Sequence, residues 1–184
     1  MNDSENDLEI VFVPDTRLKK VSRDVEKEEF GEDLRNHAEN MLAKMRDLGG
    51  VGISGVQVGD MRNIVIVNSN IADPPIMMIN PKITERSEET LKAEEGCLSF
   101  PGLKVEVERN KNISVNYMTP LGEEKTEDYF DLDAVIIQHE MDHLNGKTLL
   151  DYISRLKKDI YNRKIKKVKR KIKMMLEARQ SVYY

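Results

Sequence analysis

The strongest chemical signal in the sequence is the pair His139 and His143, which enclose Glu140 in residues 138–143 (QHEMDH). Residues four apart on a helix lie on one face, so both imidazoles can approach one divalent metal ion. Glu140 is not spaced to ligate beside both histidines, and an acid in this position serves as the general base for a metal-bound water. Chance occurrence of this pattern is expected in about one of a few hundred such chains. We therefore predict a metal site of the hydrolase kind.

A third ligand has to come from elsewhere, and the candidates are Cys97, His37 and the many acids. Cys97 is the best candidate, because thiolates bind divalent metals and this cysteine lies in a glycine-flanked segment rather than an apolar stripe. The alternative is a buried cysteine that acts as a small hydrophobe. His37 has no companion ligand nearby, so we predict a surface or boundary residue. A Cys-His-His set leaves the fourth position open for water, as in catalytic sites.

Composition limits the class of protein. The chain has 184 residues, of which 39% are hydrophobic and 34% are charged, so we predict one soluble domain over residues 1–184. No apolar run approaches the roughly 20 residues that span a bilayer. The polar, acidic N-terminus resembles neither a signal peptide nor a transit peptide. The single cysteine excludes an internal disulfide, and together these features predict a reducing, cytoplasmic setting.

Charge is unevenly distributed along the chain. Residues 155–184 hold 12 lysines and arginines against 2 acids, whereas residues 1–154 hold 17 against 31. From about Ser154 the apolar residues recur at helical spacing, which predicts a basic amphipathic helix over residues 154–180. Such a helix either docks on the body with solvated lysines or meets an anionic partner.

The elements that must position these residues follow from hydrophobic periodicity. Residues 30–48 show the spacing of an amphipathic helix. Residues 64–67 and 76–79 are predicted strands, the second stopped by Asn80-Pro81, and alternation predicts an antiparallel meander over 104–130. Asp131 or Asp133 can cap the histidine helix, which Asn145-Gly146 ends. The predicted class is α+β, with antiparallel or mixed β-sheets around a central metal-binding helix, an N-terminal amphipathic helix and a C-terminal helix.

Three segments in order resemble the motifs of peptide deformylases of the bacterial type: residues 50–57 (GVGISGVQ), 95–99 (EGCLS) and 138–143. The resemblance implies the fold of that family and removal of the formyl group from the N-terminal methionine of new proteins, with release of formate. One departure is clear, because the first motif usually carries two alanines where this chain has Ser54-Gly55. The Ser54 hydroxyl must find a partner, and Gly55 adds backbone freedom.

The resemblance also assigns roles to residues. Cys97, His139 and His143 would hold the metal, usually Fe²⁺, with Zn²⁺, Ni²⁺ or Co²⁺ able to replace it. Metal-bound hydroxide would attack the formyl carbon with Glu140 as general base and acid. The oxyanion donors would be the side-chain amide of Gln57 and the backbone N–H of Leu98.

A substrate pocket is predicted beside the metal. Gly52 would leave room for the substrate, and helical spacing places apolar residues before His139 on its face. The peptide backbone would pair with segments near Gly50 and Gly102. The predicted substrate-binding residues are Gly50, Val51, Gly52, Leu132, Val135 and Ile136.

Partners and rival functions follow from the same features. The lysine-rich helix would meet ribosomal RNA or protein of the large subunit near the peptide exit, in a salt-dependent manner. A zinc metallopeptidase shares the His-Glu-x-x-His pattern but takes its third ligand downstream, where this chain has acids but no histidine. A cysteine hydrolase with Cys97 as nucleophile and an RNA-binding module with a structural metal are further alternatives.

Overall fold

The computed structural model describes residues 8–69 and 74–180. Its three helices are α1 (Glu32–Asp47), α2 (Asp131–Leu144) and α3 (Arg155–Gln180). Its seven strands are β1 (Gly52–Ser54), β2 (Ile64–Val67), β3 (Ile76–Arg86), β4 (Thr90–Glu95), β5 (Val105–Asn110), β6 (Asn112–Met118) and β7 (Glu124–Phe130). The predicted α+β class is confirmed.

A five-stranded antiparallel sheet with the order β1-β2-β3-β6-β7 forms the centre of the body. Strand β2 is buried on both faces, as its run of β-branched residues predicts. Ile64 and Ile66 belong to the core cluster that contains the apolar face of α1, and Val65 and Val67 to the cluster that contains α2. The sheet therefore separates the two helices, and each packs on one of its faces.

Helix α1 agrees with its predicted range to within two residues at each end. Its apolar stripe is buried against the sheet and consists of Leu34, Ala38, Met41, Leu42 and Met45. His37 lies at the boundary of the helix, with 24% of its side chain exposed and its Nε2 3.0 Å from Asp60 Oδ2. This position confirms the predicted boundary location of His37, which is not among the residues of the candidate metal site.

Helix α2 is the central helix, with nine of its residues buried. The prediction of an aspartate cap is wrong: Phe130 is the N-cap residue and makes no side-chain cap hydrogen bond. Asp131 is the first helical residue, and Asp133 instead accepts a hydrogen bond from the Ser69 hydroxyl. Both acids still lie in the first turn, where negative charge stabilises the positive end of the helix dipole. The C-terminal stop is confirmed, because Gly146 has φ 68° just past the C-cap.

Two strand predictions are wrong. Strand β3 does not stop at Asn80-Pro81 but continues to Arg86 through a bulge between Ile79 and Lys82. Asn80 tolerates its φ of 53° because its side-chain amide exchanges hydrogen bonds with the backbone of Val25 (2.8 and 2.9 Å). The predicted meander also fails, since β5 pairs with β4 in a separate two-stranded sheet, and of the three strands in residues 104–130 only β6 and β7 pair with each other.

The chain divides into two compact units with a boundary between Leu149 and Leu150. The first unit contains both sheets, α1 and α2, and the second contains α3, whose Leu156, Ile160 and Val168 are exposed. The predicted basic C-terminal helix is thus present, while the single-domain organisation stays a prediction. Among the described residues, no helix is both long and apolar enough to cross a membrane.

Candidate metal centre

Three side chains from two elements converge beside α2. Cys97, His139 and His143 each offer one donor atom, and these atoms lie within 4.8 Å of one another. The Sγ atom of Cys97 is 3.2 Å from Nε2 of His143. Donors of one tetrahedral ion with bonds of about 2.0–2.3 Å lie roughly 3–4 Å apart, so the set fits a single divalent ion. Cys97 thus lies where an upstream third ligand would have to lie, and its role as a ligand stays a prediction.

A chain of buried charges orients His139. Its Nδ1 lies 2.8 Å from Oε2 of Glu95, which leaves Nε2 for a metal. Arg109 donates to both oxygens of Glu95 (2.8 and 2.9 Å) and to Oδ2 of Asp142 (2.6 Å). Burial raises the pKa of Glu95, but hydrogen bonds from Arg109 and His139 outweigh it, so the net pKa is lowered. The carboxylate therefore stays ionised and fixes the imidazole.

His143 is the most deeply buried donor, with 1% of its surface exposed. Burial lowers its pKa well below the ordinary value, and the positive charges of His139 and Arg109 lower it further. Within the described part of the chain its Nδ1 has no hydrogen-bond partner. A neutral imidazole is the form that binds a metal, so this environment suits ligation.

Glu140 lies under β1, where it is nearly enclosed. Burial raises the pKa of its carboxyl to about 7. A Cβ on Gly52 would lie 2.5 Å from Oε1 of Glu140 and 2.7 Å from Cγ2 of Ile136. Glycine at this position is thus required by the close approach of α2 and not only by room for a substrate.

The side-chain amide of Gln57 faces Cys97, one of the candidate metal ligands. Its Nε2 donates to Sγ of Cys97 (3.4 Å), and its Oε1 accepts from the backbone N–H of Ser54 (2.9 Å). A segment near the N-terminus bridges the motifs at residues 50–57 and 95–99. The N–H of Val11 donates to O of Gln57 (2.8 Å), and the N–H of Val13 donates to O of Ser99 (3.0 Å). The amide is therefore held as a donor pointing into the site.

A cavity of about 460 Å³ opens beside these groups. Its apolar wall contains side chains from α2 and from the two motif loops. Every predicted substrate-binding residue lines it: Gly50, Val51, Gly52, Leu132, Val135 and Ile136. Gln57, Cys97, Leu98, His139 and Glu140 line it as well, together with Gly102. The roles assigned to these residues stay predictions, although the sequence motifs do meet in one place.

Two contributors to the site were missed by sequence reasoning. Glu95 lies in the motif at residues 95–99, but the motif predicted no role for it, and none was predicted for Arg109. The alternating pattern of β5 could have indicated the burial of Arg109. Val105 and Val107 point inward, and Arg109 occupies the next inward position. An arginine on the buried face of a strand requires buried acids as partners.

Comparison with known proteins gives consistent results. Residues 7–159 match the family model described as polypeptide deformylase. The chain is 39% identical over 173 residues to a peptide deformylase of Rickettsia akari (strain Hartford), which covers 90% of this chain and 98% of the relative.

Solved structures are similar too. A peptide deformylase of Ehrlichia chaffeensis in complex with actinonin has a TM-score of 0.82 and 37% identity, over 89% of this chain and 98% of that one. A Met-Ala-Ser-bound class I type b peptide deformylase of Acinetobacter baumannii has a TM-score of 0.73 and 33% identity, over 79% and 98% of the two chains.

Proposed function

The chain belongs to the peptide deformylase family, whose members are enzymes that remove the N-formyl group, and on this premise we propose that it deformylates the N-terminal methionine of newly made proteins. The observation that carries the proposal is that Cys97, His139, Glu140 and Gln57 line one cavity, with His143 grouped beside Cys97 and His139 as the third candidate donor. The upstream thiol in the donor set supports this function over the zinc metallopeptidase alternative.

Cys97, His139 and His143 would hold the metal of this reaction. When bound, a divalent ion would act as a Lewis acid and would lower the pKa of a water molecule that binds at the position left free by the three protein ligands. The ion that we propose in the cell is Fe²⁺, as the family resemblance implies, with Zn²⁺, Ni²⁺ or Co²⁺ as possible replacements.

Protein groups carry the proton and the developing charge. Glu140 takes the proton of the attacking water and returns a proton to the leaving amine. The formyl oxygen gains negative charge during the attack and accepts hydrogen bonds from Nε2 of Gln57 and from the backbone N–H of Leu98. Formate and a free amino terminus result. Glu95 and Arg109 keep His139 in its ligand orientation throughout.

The substrate methionine would enter the apolar wall formed by Val51, Leu132, Val135 and Ile136. Backbone pairing near Gly50 and Gly102 would hold the following residues, which gives little preference for their side chains. The relative from Acinetobacter baumannii was solved with Met-Ala-Ser, a tripeptide that begins with methionine. This supports formyl-Met-Ala-Ser as a test substrate.

The setting that we propose is the cytoplasm, where a reactive thiol ligand stays reduced. The excess of positive charge in residues 155–184 supports a contact with ribosomal RNA near the site where nascent chains emerge.

Formate release tests the function directly. Anaerobically prepared protein, stripped with a chelator and reloaded with iron or nickel, is expected to release formate from formyl-Met-Ala-Ser. Glu140→Gln should lower kcat by about 10²- to 10⁴-fold, because it removes the proton carrier. The matched control is Glu106→Gln, an exposed acid on β5, which should retain the full rate.

The rival functions give different results in the same assay. A peptidase would cleave an internal peptide bond and release no formate. A cysteine hydrolase would keep its activity after chelation. Absence of formate release by the reloaded protein would contradict the proposed function.

A further inference from the structure

Ser54 ends strand β1 and precedes the 3-10 turn Gly55–Val58 that carries Gln57. It is fully buried, with 0% of its surface exposed, and Gln57 is 1% exposed. A fully buried hydroxyl is unfavourable unless it is hydrogen bonded, so its partners indicate its role.

The two residues form a reciprocal pair at the start of the turn. Oε1 of Gln57 accepts from both the backbone N–H (2.9 Å) and the hydroxyl (3.0 Å) of Ser54. The Ser54 side chain in turn faces the backbone N–H of Gln57, so the pair has the arrangement of a capping box. The hydroxyl has a single proton, which it donates to Oε1 of Gln57, while the buried carboxyl of Glu140 is a nearby acceptor that competes for it.

These contacts determine which end of the Gln57 amide faces the site. The terminal torsion of a glutamine side chain has only a weak angular preference, so the carboxamide can flip and interchange the positions of Oε1 and Nε2. Hydrogen bonds must therefore select one orientation. After an exchange, the amide nitrogen would face the N–H donor of Ser54, and the carbonyl oxygen would face Sγ of Cys97. In the observed orientation two donors hold Oε1, and Nε2 lies 3.4 Å from Sγ.

The adjacent Gly55 keeps this turn in place. A Cβ on Gly55 would lie 2.8 Å from O of Arg62 and 2.9 Å from O of Asp60, both backbone atoms. The close contact of Gly55 with residues 60–62 therefore anchors the backbone from which the Gln57 side chain extends.

We propose that Ser54 is a positioning residue for the reaction: its hydroxyl holds the Gln57 carboxamide so that Nε2 donates to the oxyanion beside Cys97. This inference rests on the proposed deformylation. Alanine at position 54 would keep the backbone N–H but lose the second donor, so Gln57 would spend less time in the productive orientation.

Kinetics of the metal-loaded full chain test the inference. Ser54→Ala is expected to lower kcat for formyl-Met-Ala-Ser about fivefold, with KM changed less than about twofold. Ser54→Cys keeps the side-chain volume with a weaker donor and should give an intermediate kcat. In a Gln57→Ala background, Ser54→Ala should change kcat by less than about twofold, because no amide remains to be held.

A spectroscopic measurement follows the amide itself. In ¹⁵N-labelled, zinc-loaded protein, the Gln57 side-chain amide signals can be assigned by their absence in Gln57→Ala. Ser54→Ala is expected to shift them and to speed their hydrogen exchange. The matched control is Ser22→Ala, since Ser22 is buried and its Oγ has no hydrogen-bond partner in the described part of the chain. It should leave these signals and kcat unchanged.

Three results would overturn the inference. The first is an active wild type whose kcat and amide signals are unchanged by Ser54→Ala. The second is a loss of rate that is additive with Gln57→Ala, which would assign the hydroxyl to Glu140 instead. The third is a loss of rate with unchanged amide signals. A wild type that releases no formate would contradict the proposed function alone, since the amide signals would still report the positioning.

Discussion

His139 is held by Glu95, which is itself held by Arg109, and Arg109 also reaches Asp142 on the same helix as the histidine. All but Asp142 are less than a tenth exposed. A buried charge without its partner is strongly destabilising, typically by about 3–5 kcal/mol. The charges therefore form one unit, whose function at the scale of single residues is to fix one imidazole ring.

Glu95→Gln should weaken metal binding. The neutral amide can still accept from Nδ1 of His139, but it makes the ring a weaker ligand, so we expect affinity to fall by about 10- to 100-fold. Competition with a chromophoric chelator for Zn²⁺ measures this change without an activity assay. Glu106→Gln, on the exposed face of β5, should bind as the wild type does. Equal affinities for Glu95→Gln and wild type would exclude this role for Glu95.

At the scale of elements, the turn at residues 60–62 supports the 3-10 turn that carries Gln57. Asp60 accepts from the backbone N–H of Arg62 (2.9 Å) and from its guanidinium (2.7 Å). Burial raises the pKa of Asp60, but hydrogen bonds from His37 and Arg62 outweigh it, and the net pKa lies below the ordinary value. The turn therefore depends on an ionised Asp60.

Asp60→Asn should have a pH-dependent effect on stability. The folded pKa is depressed, so the stabilisation is complete above the unfolded value of about 3.9 and is lost as pH falls toward the folded pKa. We expect a loss of about 1–3 kcal/mol near pH 7 that shrinks below about pH 4, measured by urea unfolding. Asp47→Asn, exposed at the end of α1, should change stability by less than about 0.5 kcal/mol. A difference that is constant with pH would contradict the assigned ion pairs.

The elements that the sequence predicted well are those with a regular hydrophobic period. Helix α1 follows its pattern because one stripe of the helix is buried, and strand β2 follows its pattern because both of its faces are buried. The path of β3 could not be predicted in this way, because the bulge at Asn80 depends on hydrogen bonds to Val25, which is distant in sequence. The pairing of β5 with β4 likewise depends on a choice between partners that alternation does not specify.

The sequence motifs predicted which residues come together more accurately than the sheet topology, while the roles of those residues stay predictions. The candidate ligands follow from the spacing of the two histidines and the metal-binding chemistry of cysteine, and the candidate base Glu140 follows from its place between the histidines. The orientation of Gln57 was not predictable from spacing alone, although Ser54-x-x-Gln57 has the sequence pattern of a capping box. The role of Arg109 depends on the register that brings β5 beside Asp142.

At the scale of the whole molecule, the charge is split between an acidic body and a basic C-terminal segment. Acidic surfaces are repelled by RNA, whereas lysines that neutralise phosphates release counterions on binding. The proposed contact with the ribosome should therefore depend on the lysines of α3 and not on the net charge of the chain.

Replacement of four exposed α3 lysines by glutamine should weaken co-sedimentation with ribosomes and reduce its salt dependence, while formyl-peptide hydrolysis is spared. The four residues are Lys157, Lys164, Lys166 and Lys167. The control carries four exposed lysines of the body changed in the same way: Lys19, Lys27, Lys82 and Lys92. Equal co-sedimentation of the two variants would contradict a specific role for α3.

The backbone bonds of Val11 and Val13 to Gln57 and Ser99 have a consequence for the order of folding. They join the start of the described chain to two loops that are distant in sequence, and such contacts form slowly because long loops must close first. The candidate ligands are also spread from Cys97 to His143, so a partly folded chain in which these two segments are still apart does not hold the complete set. Until these closures occur, the thiol of Cys97 is open to oxidants. Metal capture is therefore expected at the end of refolding, and a reducing medium should raise the yield of active protein.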